Sequence, residues 1–421
     1  MTRALAVIDG EHYAPVVRDA LAALPYEVTA AWVAGGTEKL RGGEDYGVPI
    51  VDDVDAALAD VDVVADLSDE PVLGPRERFR LASRVLAAGV PYVGADFRFD
   101  PPVFEPFDVP SLGIIGTGKR VGKTALAGHV ARRLARSRDV VVVAMGRGGP
   151  AKPELAAAPP TLESLLERSR SGAHAASDYL EDAALAQVVT VGCRRCGGGL
   201  AGAVTTSNVL DGARLAAAQR PDLVIFEGSG SALPPVATNR RILVAGAAQP
   251  LEIVTGYLNA FRILISDLVV LTPAEPGAAV EALRRAIREL KDVPVIAAAL
   301  RPRPVEPVEG RRVALFTTAP ESVHDQLADH LRSEHGAASV TVSGTLANRE
   351  RLRAAIETTD AEVYLVEIKA AAIDVVAEAA AGSGTPVVFA DNEVLPLEGE
   401  HDLDAEVDRL AEAALREAVA A

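Results

Sequence analysis

The chain has 421 residues, too many for one ordinary hydrophobic core, and at about 150 residues per domain three domains are expected. Its 49% hydrophobic and 24% charged content fits a soluble globular protein, and a formal charge of -17 disfavours attraction to nucleic acid or to an anionic membrane, so anionic ligands must be gathered by local clusters. Two cysteines, Cys193 and Cys196, offer no disulfide framework and suit a reducing compartment, Asp9 and Glu11 come too early for a signal peptide, and no apolar run approaches the ~18 residues of a membrane span. A cytoplasmic location is expected, and assembly into a homo-oligomer is left open.

Residues 1–100 alternate short apolar runs with helical periodicity: strands over 3–9, 28–35, 61–69 and 91–96, and helices over 12–23 and 76–89, which is the pattern of a small parallel α/β unit. Residues 97–111 hold four prolines, break both periodicities and are expected to form a linker or strap. A second series follows, with strands at 111–115, 139–146, 222–226, 241–246, 267–272 and 293–300 and helices at 122–136, across 160–187 and at 277–290. Its Val and Ile runs do not alternate, as expected of parallel strands buried on both faces. Residues 301–310 (RPRPVEPVEG) look like another linker. Beyond it, strands at 311–319, 361–368 and 385–392 and helices near 321–334, 347–357 and 370–381 make a third, smaller unit. The expected fold is α/β: a central P-loop NTPase-type parallel sheet over 108–303, flanked by smaller α/β domains at 1–100 and 310–421.

The stretch GIIGTGKRVGKTA, residues 113–125, carries the strongest chemical signal. A phosphate-binding loop needs inward-pointing backbone N–H groups, a helix N-terminus behind them, a lysine for the terminal phosphates and a hydroxyl for Mg²⁺. Gly116, Thr117, Gly118, Lys119, Arg120, Val121, Gly122, Lys123 and Thr124 supply that set, with an apolar strand before them and an apolar-periodic helix after. Lys119 and Lys123 are two of only six lysines in the chain. The usual pattern wants glycine at position 117 and finds threonine.

Further along, Glu227 ends an apolar strand, where open parallel sheets carry ligands, and is a candidate Mg²⁺ ligand or a solvated cap. Arg147, held between glycines after the second strand of this unit, suits bidentate phosphate contact or is a surface arginine. His174, Asp178 and Asp182 share a helix face that could hold Mg²⁺, orient a phosphate or be merely wet. The segment GCRRCGGG joins Arg194 and Arg195 to three glycines, the makings of an anion-binding nest; a metal or redox pair of the cysteines and a plain structural turn are the alternatives. Arg240 and Arg241 face substrate or solvent. Asp9, Glu11 and His12 end the first strand and could form a lid, a second anion site or a capped helix start.

The GTxxxVGKT form of the loop resembles dethiobiotin synthetase and its relatives. Taken in order, DGEHY, IIGTGKRVGKTA, MGRGGP, SGAHAASDYLEDAA, GCRRCGGG, SNV and FEGSGSALPPV resemble the cyclic 2,3-diphosphoglycerate synthetase family over roughly 300 residues, more weakly beyond. That resemblance implies an ATP-dependent ligase that closes 2,3-bisphosphoglycerate through an intramolecular phosphoanhydride. ATP and Mg²⁺ would be handled by the loop, by Lys123 and by Thr124, Glu227 and Asp178, and the substrate by Arg147, Arg194 and Arg195. The rivals are a dethiobiotin synthetase-like ligase acting on another small acid, a P-loop nucleotide switch or metallochaperone, and a kinase that stops at phosphorylating 2-phosphoglycerate.

Overall fold

A computed structural model describes residues 1–172, 175–275, 277–368 and 372–420. In the N-terminal unit the strands β1 (Arg3–Ile8), β2 (Glu27–Val33), β3 (Val63–Asp66), β4 (Tyr92–Val93) and β5 (Arg98–Phe99) stand in the order β2-β1-β3-β4-β5. All pairs are parallel except β4 with β5. The strap after β5 is bolted down: Glu105 bridges to Val236, and Phe107 packs edge-on against buried Phe226.

The strands β6 (Ser111–Gly116), β7 (Val140–Gly146), β8 (Glu154–Ala156), β9 (Val189–Cys196), β10 (Thr206–Ser207), β11 (Leu223–Glu227), β12 (Arg240–Gly246), β13 (Leu268–Thr272) and β14 (Val295–Pro304) build the central sheet. Its middle runs β9-β7-β11-β6-β12-β13-β14, all parallel, so the C-terminal ends of these strands share one rim. Every residue of β6, β7, β11 and β13 is buried, which is why their sequences are unbroken apolar runs.

Residues 301–304 are a correction to the sequence reading, because they continue β14 instead of forming a linker. Ala298 to Pro304 pair antiparallel with β18 (Val387–Pro396), while pairing with β13 stops at Ala297. A proline fits a strand where its missing N–H meets no partner, and β14 has one side unpaired past Ala297. Through this seam the sheet continues into β17 (Val363–Glu367), β15 (Arg312–Phe316) and β16 (Ser339–Ser343). The final helix, Leu403–Ala420, escaped the sequence reading. It buries Leu403, Val407, Leu410 and Ala414 against the central sheet and the helix Lys123–Ala135. Of the helix expected over 370–381, the first two residues lie outside the described residues; Ala372–Val376 form a π turn that leads into the helix Ala377–Ser383.

The helix behind the phosphate loop is tied outward by charge. Arg132 and Arg303 both bind the buried carboxylate of Asp391 on β18, and His129 and Arg133 reach Asp404 and Asp408 on the final helix. Removing Arg132 or Arg303 would weaken the compensation of a buried charge.

Candidate active site

The loop between β6 and the helix Lys123–Ala135 is shaped by two close approaches. Gly122 sits at φ 90° with Thr272 against it, where a Cβ would collide with the Thr272 hydroxyl, which itself donates 2.5 Å to the Val121 carbonyl. Gly116 lies under the folded-back side chain of Lys123: a Cβ there would be 2.7 Å from Lys123 Cδ. Lys123 Nζ donates to the Gly118 carbonyl at 2.7 Å. Thr117 replaces the usual glycine for a visible reason: its buried hydroxyl donates to Gln249 Oε1 at 2.6 Å, and the same oxygen accepts the Gly246 N–H at 3.0 Å. Threonine thus staples the loop to the end of β12. Val121 is buried beneath the loop, whereas Lys119 and Arg120 are exposed on it.

Thr124 Oγ1 donates to Glu227 Oε1 at 2.9 Å, leaving Glu227 Oε2 buried with no hydrogen-bond partner among the described residues. Beside it lies Asp182 on the helix Asp178–Ala186, only 2% exposed, with both carboxylate oxygens likewise unpartnered. Two carboxyls so placed share a hydrogen bond only when one is protonated. Burial and the Glu227 charge push Asp182 well up, so it takes the proton first. Burial, and then the Asp178 charge, push Glu227 up to about 7. Asp178 flanks the end of β7, its Oδ2 3.4 Å from where a Cβ on Gly146 would sit. Burial pushes the Lys123 ammonium down, Glu227 and Asp178 oppose that, and Arg147 and Arg195 add to it. A hydroxyl, a buried carboxylate with an orphaned oxygen and two further carboxyls are hard donors that fit Mg²⁺.

Arginines gather on the other flank. A Cβ on Gly230, which holds φ 64°, would lie 2.8 Å from Arg147 Nη2, 3.5 Å from Arg195 Nη2 and 3.8 Å from Lys119 Cγ. Only glycine leaves room for two guanidinium groups and the Lys119 stem to meet over the turn that follows β11. Arg195 is anchored by donating to the carbonyls of Gly197 (2.6 Å) and Ser229 (2.7 Å), and its buried Nε has no partner among the described residues. Burial and then Arg147 push the Arg195 guanidinium down, and Cys196 and Asp178 oppose that. Arg194 alternates to the other side of β9 and is exposed; its backbone N–H donates to Asn208 Oδ1 at 2.7 Å, while Asn208 Nδ2 holds the Pro150 carbonyl. The structure therefore brings Lys123, Thr124, Glu227, Asp178, Arg147 and Arg195 to one rim and leaves the Arg194 side chain at its outer edge.

Other sequence candidates separate. Arg240 pairs with Glu417, and Arg241 lies 4.7 Å over the Phe104 ring, both at the start of β12 and so at the edge opposite the loop; facing substrate is overturned for both. Cys193 is buried, its Sγ filling the space a Cβ on Gly212 would need, and burial raises its thiol to about 12. Cys196 is exposed and three positions on along the strand, on the opposite face, so the two do not make a redox or metal pair. Asp9 accepts the N–H groups of Glu11, His12 and Asp69 and a bond with His12 Nδ1, organising its own turn. His174 lies outside the described residues.

Models of the cyclic 2,3-diphosphoglycerate synthetase family match residues 3–100 as its N-terminal domain, 111–300 as its P-loop domain and 304–393 as its C-terminal domain. A cyclic 2,3-diphosphoglycerate synthetase from Rubrobacter xylanophilus is 51% identical over 98% of this chain and 98% of its own length. The chain belongs to the cyclic 2,3-diphosphoglycerate synthetase family. Another member, from Methanothermus fervidus, is 41% identical over 92% of each chain. A solved structure of LpxK from Aquifex aeolicus in complex with ATP aligns at TM-score 0.42 and 13% identity over 74% of this chain and 90% of that one, and nothing about the site is carried over from it. As a member of this family the protein is an enzyme whose P-loop domain binds ATP. Among the described residues no helix is long and apolar enough to cross a membrane.

The sequence offers Asp182 as a candidate without its partner Glu227, and it does not offer Arg262 at all. Asp182 was visible as one turn beyond Asp178, but its approach to Glu227 depends on how the helix docks. Arg262, 1% exposed, gave no signal at all. It donates to the carbonyls of Leu200 (3.1 Å), Ser231 (2.6 Å from Nη2) and Leu258 (2.9 Å), clamping the glycine-rich loop to the turn after β11, and burial lowers its guanidinium to about 10.

Proposed function

We propose that this protein uses ATP to close 2,3-bisphosphoglycerate into its cyclic form, making an intramolecular phosphoanhydride and releasing ADP and phosphate. The observation that carries this reading is the convergence of the Arg147 and Arg195 guanidinium groups over Gly230, on the same rim as Lys123 and the phosphate loop. Two phosphates of one small molecule repel by roughly 4 kcal/mol per pair of unit charges about 4 Å apart at an effective dielectric of 20. A cluster of fixed cations offsets that repulsion before the chemistry begins, so it acts without reorganisation at the moment of reaction.

In the proposed course one substrate phosphate oxygen attacks the ATP γ-phosphorus in line, and ADP departs with the electrons of the broken bond. The second substrate phosphate then attacks the phosphorus of the first, closing the ring and expelling inorganic phosphate. Phosphates are already ionised near neutral pH, so no strong general base is required. Lys123 holds the terminal phosphates, the loop N–H groups cradle the nucleotide, and Arg147 and Arg195, with Arg194 at the edge, draw in the substrate. Thr124, Glu227 and Asp178 would hold Mg²⁺, which when bound neutralises charge on the β- and γ-phosphates.

With ¹⁸O in the non-bridging oxygens of the substrate phosphates, this order carries label into the released phosphate; label-free phosphate would reject it. ³¹P spectra with Mg-ATP should show a cyclic phosphoanhydride signal with 2,3-bisphosphoglycerate and none with 2-phosphoglycerate. A product from 2-phosphoglycerate that stops at the open bisphosphate would instead identify a kinase.

A further inference from the structure

Away from the nucleotide rim, the last turn of the helix His324–Ser333, the residues after it and β18 bring together His330, His335 and Glu393. One ligand atom from each lies within 4.8 Å of the others. His330 Nε2 is 3.7 Å from Glu393 Oε2, and His335 Nε2 is 3.8 Å from Glu393 Oε1. These separations are too long for hydrogen bonds. Both Nε2 atoms are buried and have no hydrogen-bond partner among the described residues, an arrangement unfavourable for a buried polar group. Two ligands each about 2.0–2.1 Å from one tetrahedral ion stand roughly 3.4 Å apart, close to what is seen here. The rings meet edge to face with centroids 5.3 Å apart and are not stacked on each other.

We propose that His330, His335 and Glu393 form a binding site for a divalent transition-metal ion of the zinc class, with a remaining coordination position open to the adjoining cavity. Two imidazoles and one carboxylate are a donor set that suits Zn²⁺ and its neighbours better than Mg²⁺. The cavity, about 670 Å³, is lined by His335 and Glu393 together with Glu306, Glu309, Glu334 and Arg303, so its charge is on balance anionic and favours entry of a cation. The ion would pin the helix His324–Ser333 to β18, the strand whose Asp391 holds Arg132 behind the phosphate loop.

The test uses the full chain stripped with a chelator and titrated with Zn²⁺, and with Co²⁺ as a visible probe. One equivalent per chain is expected, with the intense absorption of four-coordinate cobalt. His335→Ala should weaken binding by more than ~100-fold, since even outer partners of metal ligands are worth 10- to 100-fold. The Cys193→Ser/Cys196→Ser chain should bind as the unaltered one does. Equal binding by His335→Ala, or loss of binding in the double cysteine variant alone, overturns the site. Should His335→Ala fail to fold, the unaltered chain decides: Zn²⁺ should protect His330 and His335 from carbethoxylation, and absence of protection overturns the proposal.

Discussion

Glu227 makes the site's protonation measurable as stability. Its carboxyl is held up to about 7 from an ordinary 4.5 by burial and then by the charge of Asp178, against the lowering hydrogen bonds of Thr124 and Asp182. Between those two values the folded chain keeps a proton that the unfolded chain has released, so stability falls as pH rises through that window and levels off above about 7. At 1.36 kcal/mol per pH unit the interval is worth about 3 kcal/mol, an upper figure because Asp182 titrates with it. Glu227→Gln cannot ionise. Without divalent cations the variant should therefore gain on the unaltered chain by up to about 3 kcal/mol between pH 4.5 and pH 8, at most roughly 6–12 °C in thermal midpoint for a unit of this size. Mg²⁺ should reverse the order, stabilising the unaltered chain more at pH 8 than at pH 5.5, and leaving Glu227→Gln nearly unmoved. The measurement is a pair of melting curves across this pH range, with and without Mg²⁺. If the two chains keep a constant difference, or if Mg²⁺ stabilises equally at both ends, Glu227 is not the buried ionising group of the site.

Four further outcomes follow from the placement of particular side chains. Thr117→Gly restores the usual loop pattern but removes the staple to Gln249, and should weaken ADP binding by up to about tenfold, the worth of one buried hydrogen bond, as read by isothermal titration. Arg195→Ala should raise KM for 2,3-bisphosphoglycerate by roughly 30-fold or more, with a smaller effect on ATP, because it removes a charge-assisted contact. Arg194→Ala, at the exposed edge, should raise KM less; steady-state kinetics giving the reverse ranking would move the substrate to the other side of β9. Arg262→Met keeps the bulk but orphans carbonyls at Leu200, Ser231 and Leu258, and should cost several kcal/mol, at about 1–3 kcal/mol per buried orphan, seen as a lowered thermal midpoint.

The α/β class, the phosphate loop and the candidate roles of Lys123, Thr124, Glu227 and Arg147 are legible from the chain because each rests on local information. Unbroken Val and Ile runs mark strands buried on both faces, and a loop of Gly116 to Thr124 carries its own glycines, lysine and hydroxyl within one turn of backbone. The pairings that decide the site join residues far apart in sequence. Arg147 and Arg195 meet over Gly230 because β9, β7 and β11 are neighbours in the sheet, Asp182 reaches Glu227 because its helix docks across β7 and β9, and Arg240 is carried to the opposite edge because it begins a strand that the loop-side residues end. Periodicity specifies which face of an element is apolar, not which element it lies against. Strand order and helix docking are settled only when the whole chain buries its apolar faces together, and with them the cationic pocket, the carboxyl pair and the seam through residues 301–304.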